Sequence, residues 1–402
     1  MSRLNALSLA IKALRHKPLS TALNLLLMAI GVGMMTFVLS TATQLEDGAL
    51  RDGQGIDLVV GAKGSPLQLI LSSIYHIDIP TGNIPFSAQQ QLEANPMVRH
   101  VIPLALGDNF YGFRIVGTSH DYFRHYGAEL QKGRWFDEPM QAVFGALAAR
   151  DTGATIGAKF AGSHGLMQGG ELHDHAPYSV VGILKPTGTV LDRLVLTTVS
   201  SVWRVHETDP DEVHATAIDA PQRELTALLV EYASPLAAVT LPRWINSQSR
   251  LQAAQPAFEA ARLFRMLGVG ADVLRAIAIG VLLVAGLSMF VALYNALEER
   301  KTDMAIMRAL GTSPARLLVL LLTQGLLLAL GGAVLGWLLG HAGVAILGRM
   351  LGGSEQNLTL SGWLVLPQEA WLMLAALLVG LAAALLPAIR AYRTDIAATL
   401  AR

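Results

Sequence analysis

Four apolar stretches constrain this sequence more than anything else in it. Leu19–Thr43, Ala276–Leu297, Leu317–Gly340 and Trp371–Ile389 contain no Asp, Glu, Lys or Arg. A helix rising ~1.5 Å per residue needs about 20 such residues to cross ~30 Å of hydrocarbon. All four meet that length, the last with least to spare. Composition agrees: 52% of residues are hydrophobic, only 15% are charged, and the mean hydropathy is +0.44. Soluble domains carry roughly 25% charged residues. The formal net charge is zero, which gives no basis for a nucleic-acid partner. With no cysteine in the chain, disulfides, thiolate metal sites and cysteine nucleophiles are excluded.

Lys and Arg in short flanks tend to stay cytoplasmic and so set the orientation. Arg3, Lys12, Arg15 and Lys17 precede the first span, Arg300, Lys301, Arg308 and Arg316 separate the second from the third, and Arg390, Arg393 and Arg402 follow the fourth. The loop between the third and fourth spans holds only Arg349. These positions predict a cytoplasmic amphipathic helix at 1–18, spans at 19–43, 276–297, 317–340 and 371–389, and an extracytoplasmic domain at 44–275. A cytoplasmic helical cassette at 298–316, a short outer loop at 341–370 and a cytoplasmic tail at 390–402 complete the expected order. Ser40-Thr41-Ala42 has the small residues of a signal-peptide cleavage site, but the apolar run exceeds a usual signal h-region, so the segment reads as an uncleaved anchor. Leu4, Leu7, Ile11 and Leu14 form an apolar stripe with Arg3, Lys12 and Arg15 off it, which suits the membrane surface.

The stretch Leu297–Leu317, which contains the cassette, reads LEERKTDMAIMRALGTSPARL. Met304, Met307 and Leu310 share a helix face, Gly311 is placed to end that helix, and Ser313-Pro314 can start the next. An apolar face on a cytoplasmic knob suits a groove on a protein partner.

ERKTDMAIMRALGTSPARLLVLLLTQGLLLALGGAVLG resembles the E-R-x-x-E-I-x-x-[LM]-R-A-[LI]-G-A pattern of the FtsX/MacB-like permease family of ABC transporters, with Asp303 in place of the commoner Glu. LLPAIRAYRTDIAATLAR resembles the family's end, with Ile396 where proline is usual. The opening LAIKALRHKPLSTALNLLLMAIGVGMMTFV is similar to its first helix, and DLVVGAKGSPLQLIL to the start of a MacB-type extracytoplasmic domain. The resemblance implies four transmembrane helices, a bacterial inner-membrane location, a second permease copy and two cytoplasmic ATPase subunits docked on the cassette. Glu299, Arg300, Met304, Ile306, Met307, Arg308 and Leu310 are then the coupling residues. It further implies mechanotransmission driving export, extraction or release of a substrate on the outer side, with membrane lipid and a periplasmic adaptor or substrate-binding protein as further partners. A transducer that moves nothing and regulates an outer partner is the alternative.

No G-x-x-x-x-G-K-[ST] occurs in the chain, so ATP and Mg²⁺ are expected in a partner subunit, with no catalytic residues here. The apolar windows lack ionisable residues, which argues against a proton relay or a central solute path. Gly332, Gly336 and Gly340 recur every four residues, the small-xxx-small geometry that lets two helices approach closely.

IDLVV at 56–60, FRIVG at 113–117, YSVVGIL at 178–184 and LTALLVEY at 225–232 read as strands bounded by Gly and Pro. Leu225–Tyr232 and Ala237–Leu241, followed by a helical run Pro242–Leu267, predict a second subdomain and hence an α+β domain of two lobes between the first and second spans. Leu67–Tyr75 reads as core; exposed, it would offer a lipid or lipoprotein contact. Nine of the eleven histidines lie in this domain. His164, His173 and His175, in a Gly-rich loop, could hold Zn²⁺ if they converge, which would make the protein metal-linked; otherwise they sit in a solvated polar loop.

Overall fold

The computed structural model describes residues 6–163, 176–207, 223–248, 250–299, 306, 312–352 and 360–392. The helices are α1 (Ala6–His16), α2 (Pro18–Asp52), α3 (Pro66–Ser73), α4 (Ser87–Glu93), α5 (His120–His125), α6 (Ala146–Thr152), α7 (Val199–Glu207), α8 (Ala237–Asn246), α9 (Pro256–Glu299), α10 (Pro314–Gly352) and α11 (Glu369–Tyr392). The strands are β1 (Leu58–Ala62), β2 (Ile84–Pro85), β3 (Val98–Phe110), β4 (Phe113–Thr118), β5 (Leu130–Gly133), β6 (Gln141–Phe144), β7 (Lys159–Phe160), β8 (Tyr178–Leu184), β9 (Leu194–Thr198), β10 (Glu224–Leu225), β11 (Ala227–Tyr232) and β12 (Leu251–Ala254). The chain divides into a helical unit, built on residues up to 44, 267–350 and 359 onward, and a sheet unit built chiefly on residues 45–266.

In the helical unit, α2, α9, α10 and α11 are each long and apolar enough to cross a membrane. Their buried faces are small or flexible: Met28, Val32, Ala285, Met289, Ala329, Ala333, Ala376 and Ala384 form the main cluster. At ~1.5 Å per residue, the 35 residues of α2 and the 44 of α9 far exceed a hydrocarbon core. Both helices therefore continue well past the apolar windows that the sequence marks. α9 begins at Pro256, where proline suits a first turn that needs no backbone donor. The expected helical run Pro242–Leu267 is instead broken: α8 ends at Asn246 and β12 intervenes before α9. The expected outer loop is shorter than 341–370, because α10 runs on to Gly352.

The sheet unit is mixed α/β. One ten-stranded sheet has the order β12-β1-β11-β3-β4-β9-β6-β8-β5, with β7 on β8; β10 and β2 form a separate pair. The long strand β3 organises it. Residues 98–104 of β3 pair antiparallel with β11, and residues 105–110 pair antiparallel with β4, with a register shift between Leu106 and Asn109. The two halves expected as lobes are thus joined through one shared strand. β4 is buried along its whole length and pairs in parallel with β9, as strands covered on both faces do. β8 alternates buried and half-buried positions with the period of two of a strand with one covered face. Leu69, Ile70 and Ile74 are fully buried in the largest core cluster, so Leu67–Tyr75 supplies core and not a surface.

Candidate functional site

In a chain with four membrane-crossing helices, working parts lie where those helices meet one another. The glycine row of α10 is one such place. A Cβ at Gly332 would lie 2.5 Å from Met28 Cβ, one at Gly336 2.6 Å from the Ala29 carbonyl oxygen, and one at Gly340 2.8 Å from the Gly33 carbonyl oxygen. The partner of the row is therefore α2 of the same chain, and the approach is mutual, since a Cβ at Gly33 would lie 2.9 Å from the Gly336 carbonyl oxygen. A second seam, which the sequence reading did not identify, joins α10 to α11. A Cβ at Gly325 would lie 2.6 Å from Ala384 Cβ, and one at Gly380 2.3 Å from Ala329 Cβ. Its signal is visible in retrospect: Gly325/Ala329 and Gly380/Ala384 are both small residues four apart.

Of the expected coupling residues, Glu299 and Ile306 are described. Glu299 ends α9 and pairs with Lys17, next to the start of α2, which ties the ends of two spans. Ile306 is 46% exposed. Arg300, Met304, Met307, Arg308 and Leu310 lie outside the described residues, as do His164, His173 and His175 of the histidine loop. Among the described residues no group of three or more His, Asp or Glu could hold a metal ion.

The structure adds an ionisable pair just beyond the apolar windows. His341 Nε2 and Trp337 Nε1 lie 3.0 and 2.7 Å from Glu369 Oε2, and His341 Nδ1 lies 3.0 Å from the Gly362 carbonyl oxygen. Gln44 exchanges two hydrogen bonds with the backbone of Ser361, at 3.0 and 2.8 Å. This knot pins the segment between α10 and α11 to the end of the first span. His341 directly follows one apolar window and Glu369 precedes another by two residues, so a reading confined to the windows passes over both.

In the sheet unit, the last turn of α2 has a built seat. A helix ends with unpaired carbonyls, and here Tyr75 OH donates to the Ala49 carbonyl at 3.4 Å and Tyr126 OH to the Asp52 carbonyl at 2.6 Å. The Asp52 carboxylate accepts the Val190 N–H at 2.8 Å and lies 3.5 Å from Arg193, both on the short helical turn Val190–Arg193. Burial pushes the Asp52 carboxyl up to about 6, against the pull of Arg193 and of the Val190 N–H. Burial likewise lowers the Arg193 guanidinium and raises the Tyr126 hydroxyl well above its ordinary value.

Residues 21–240 match the family model of the MacB-like periplasmic core domain, and residues 275–396 match that of the FtsX-like permease C-terminal region. Among solved structures, the periplasmic region of MacB from Actinobacillus actinomycetemcomitans is similar at 13% identity and a TM-score of 0.35, covering 54% of this chain and 97% of that one. The extracellular domain of the noncanonic ABC-type transporter YknZ from Gram-positive bacteria is similar at 13% identity and a TM-score of 0.30, covering 50% and 99%. No curated protein matches the chain.

Proposed function

The chain belongs to the family of ABC-transporter permeases that carry a MacB-like periplasmic core domain and an FtsX-like C-terminal region, and from that premise we propose that it converts nucleotide-driven movement inside the cell into movement of its outer domain. Permeases of this family work with separate ATPase subunits. The segment 298–316 is the docking knob, with Glu299, Arg300, Met304, Ile306, Met307, Arg308 and Leu310 as contacts. The outer movement drives export, extraction or release of a substrate on that side, in a bacterial inner membrane and with a second permease copy.

The observation that carries this reading is helix continuity. α2 runs unbroken from Pro18 to Asp52 and α9 from Pro256 to Glu299, so each helix carries a membrane-crossing stretch and polar sequence in one element. Such helices transmit a bias only if the ATPase binds two conformations with different affinity. Of the proposed contacts, Ile306 is exposed and Glu299 pairs with Lys17.

Because the chain has no cysteine, Ile306→Cys introduces a unique thiol. A membrane-impermeant maleimide is expected to label it only after the cells are opened, and binding of the copurified ATPase subunit is expected to protect it. Labelling of intact cells from outside would overturn the reading.

A further inference from the structure

We propose that the helical unit holds an anionic phospholipid with a hydroxyl-bearing headgroup, of the phosphatidylglycerol class, in a cavity under helix α1. The cavity has a volume of about 470 Å³ and is bounded by α1, α2, α9 and α10. This size is typical of small-molecule pockets. It takes a headgroup and the first part of one acyl chain.

Three features of the lining select the occupant. Lys12, His16 and Lys17 bring basic side chains to it, a match for a phosphate. Lys17 is shared with Glu299, whereas Lys12 has no ion pair among the described residues. Deeper in, Asn24 is only 2% exposed. Its Nδ2 donates to the Ser20 carbonyl at 2.8 Å, which fixes the amide's direction, and its Oδ1 is buried without a hydrogen-bond partner. A buried acceptor left unpaired is costly, and a headgroup hydroxyl lining up with it removes that cost. Leu14, Leu293 and Leu328 make the remaining wall apolar, as an acyl chain requires and a soluble anion does not.

The placement of α1 agrees. Leu7 and Ile11 on its apolar stripe are 49% and 38% exposed, so the helix offers hydrocarbon to the surface where headgroups lie. The lipid acts as a wedge that sets the distance of α1 from the start of the first span. This site depends on membrane insertion alone and not on what drives or follows the coupling proposed above.

The test is native mass spectrometry of the full chain in a zwitterionic detergent, titrated with phosphatidylglycerol, phosphatidylcholine of the same chains, and glycerol 1-phosphate. Phosphatidylglycerol is expected to bind at least tenfold tighter than either of the others. Lys12→Ala is expected to weaken it about fivefold, and Asn24→Leu to reduce the preference over phosphatidylcholine. Arg15→Ala removes the same charge from the same helix but away from the cavity, and it should leave binding unchanged. Equal binding of the two lipids overturns the proposal. So does an equal loss in the Lys12 and Arg15 variants, which would mark general surface attraction. Glycerol 1-phosphate binding as tightly as the lipid overturns the lipid assignment in favour of a soluble anion.

Discussion

Gly336→Val is expected to destabilise the helical unit by about 3 kcal/mol, at the upper end of the cost of forcing atoms into a filled interior. The reason is the identity of the obstructing atoms. The first added carbon would lie 2.6 Å from the Ala29 carbonyl oxygen, 2.8 Å from Val32 Cβ and 3.0 Å from Ala29 Cα. Two of these are backbone, so no rotamer change relieves the contact and α2 must move away from α10. Replacing glycine within a helix otherwise gains up to about 1 kcal/mol of backbone propensity, which is too little to offset the clash. Gly331 provides the contrast. A Cβ there meets only the Leu25 Cδ2 methyl at 3.1 Å, the far end of a flexible side chain. Gly331→Val, five residues before Gly336, should therefore cost less than about 1 kcal/mol. Thermal unfolding of the two full-length variants in the same detergent decides the matter, and equal losses would mean that the α2–α10 seam is not a close backbone contact.

The seam also shows what the sequence carried and what it did not. Gly332, Gly336 and Gly340 could be placed on one face from spacing alone, because a helix repeats nearly every four residues. Their partner could not, because Met28, Ala29 and Gly33 lie some three hundred residues earlier and no local rule links them. The spans were legible for a similar reason: an unbroken apolar run has few alternatives to a membrane helix. Their ends were not. α9 begins twenty residues before its apolar window, in sequence that contains Arg262, Arg265, Asp272 and Arg275. Charge there reads as outer-domain sequence, yet it is compatible with helix because Asp272 and Arg275 pair one turn apart at 2.8 Å, as do Glu259 and Arg262 at 3.8 Å.

Strands followed the same division. β4 and β8 are apolar enough to stand out, and both were found where the sequence placed them. β3 was missed although it is the longest strand. It holds Arg99, His100, Pro103, Gly107, Asp108 and Asn109, and its pairing switches partner midway, so neither a continuous apolar run nor a single alternation describes it. Pro103 precedes the first β3–β4 pair, Ala105 with Gly117, and its carbonyl accepts from Thr118 Oγ1 at 2.9 Å.

The seat of α2 gives the second large effect, and here two substitutions at one residue should diverge. Asp52 does two things: its carboxylate oxygen satisfies the Val190 N–H, and its charge sits buried beside Arg193. Asp52→Ala removes the acceptor and leaves a buried donor unpaired, for an expected loss of about 2 kcal/mol. Asp52→Asn keeps a carbonyl oxygen for Val190 and removes only the charge. Because burial raises the folded-state carboxyl from 3.8 to about 6, the folded protein holds this proton more tightly than the unfolded chain does. The resulting stability is fully present below about pH 4, is lost as pH rises through about 6, and is absent above that. Two pH units of difference correspond to about 3 kcal/mol. Wild-type sheet-unit stability, followed in the full chain by the fluorescence of Trp135 and Trp203, should therefore fall across that window, whereas Asp52→Asn removes this contribution and flattens the curve. An Asp52→Ala variant as stable at pH 7 as Asp52→Asn would show that the Val190 hydrogen bond does not hold the end of α2. If instead the Ala variant melts early while the Asn variant does not, the hydrogen bond accepted from the Val190 N–H is the carboxyl's contribution to seating the last turn of α2.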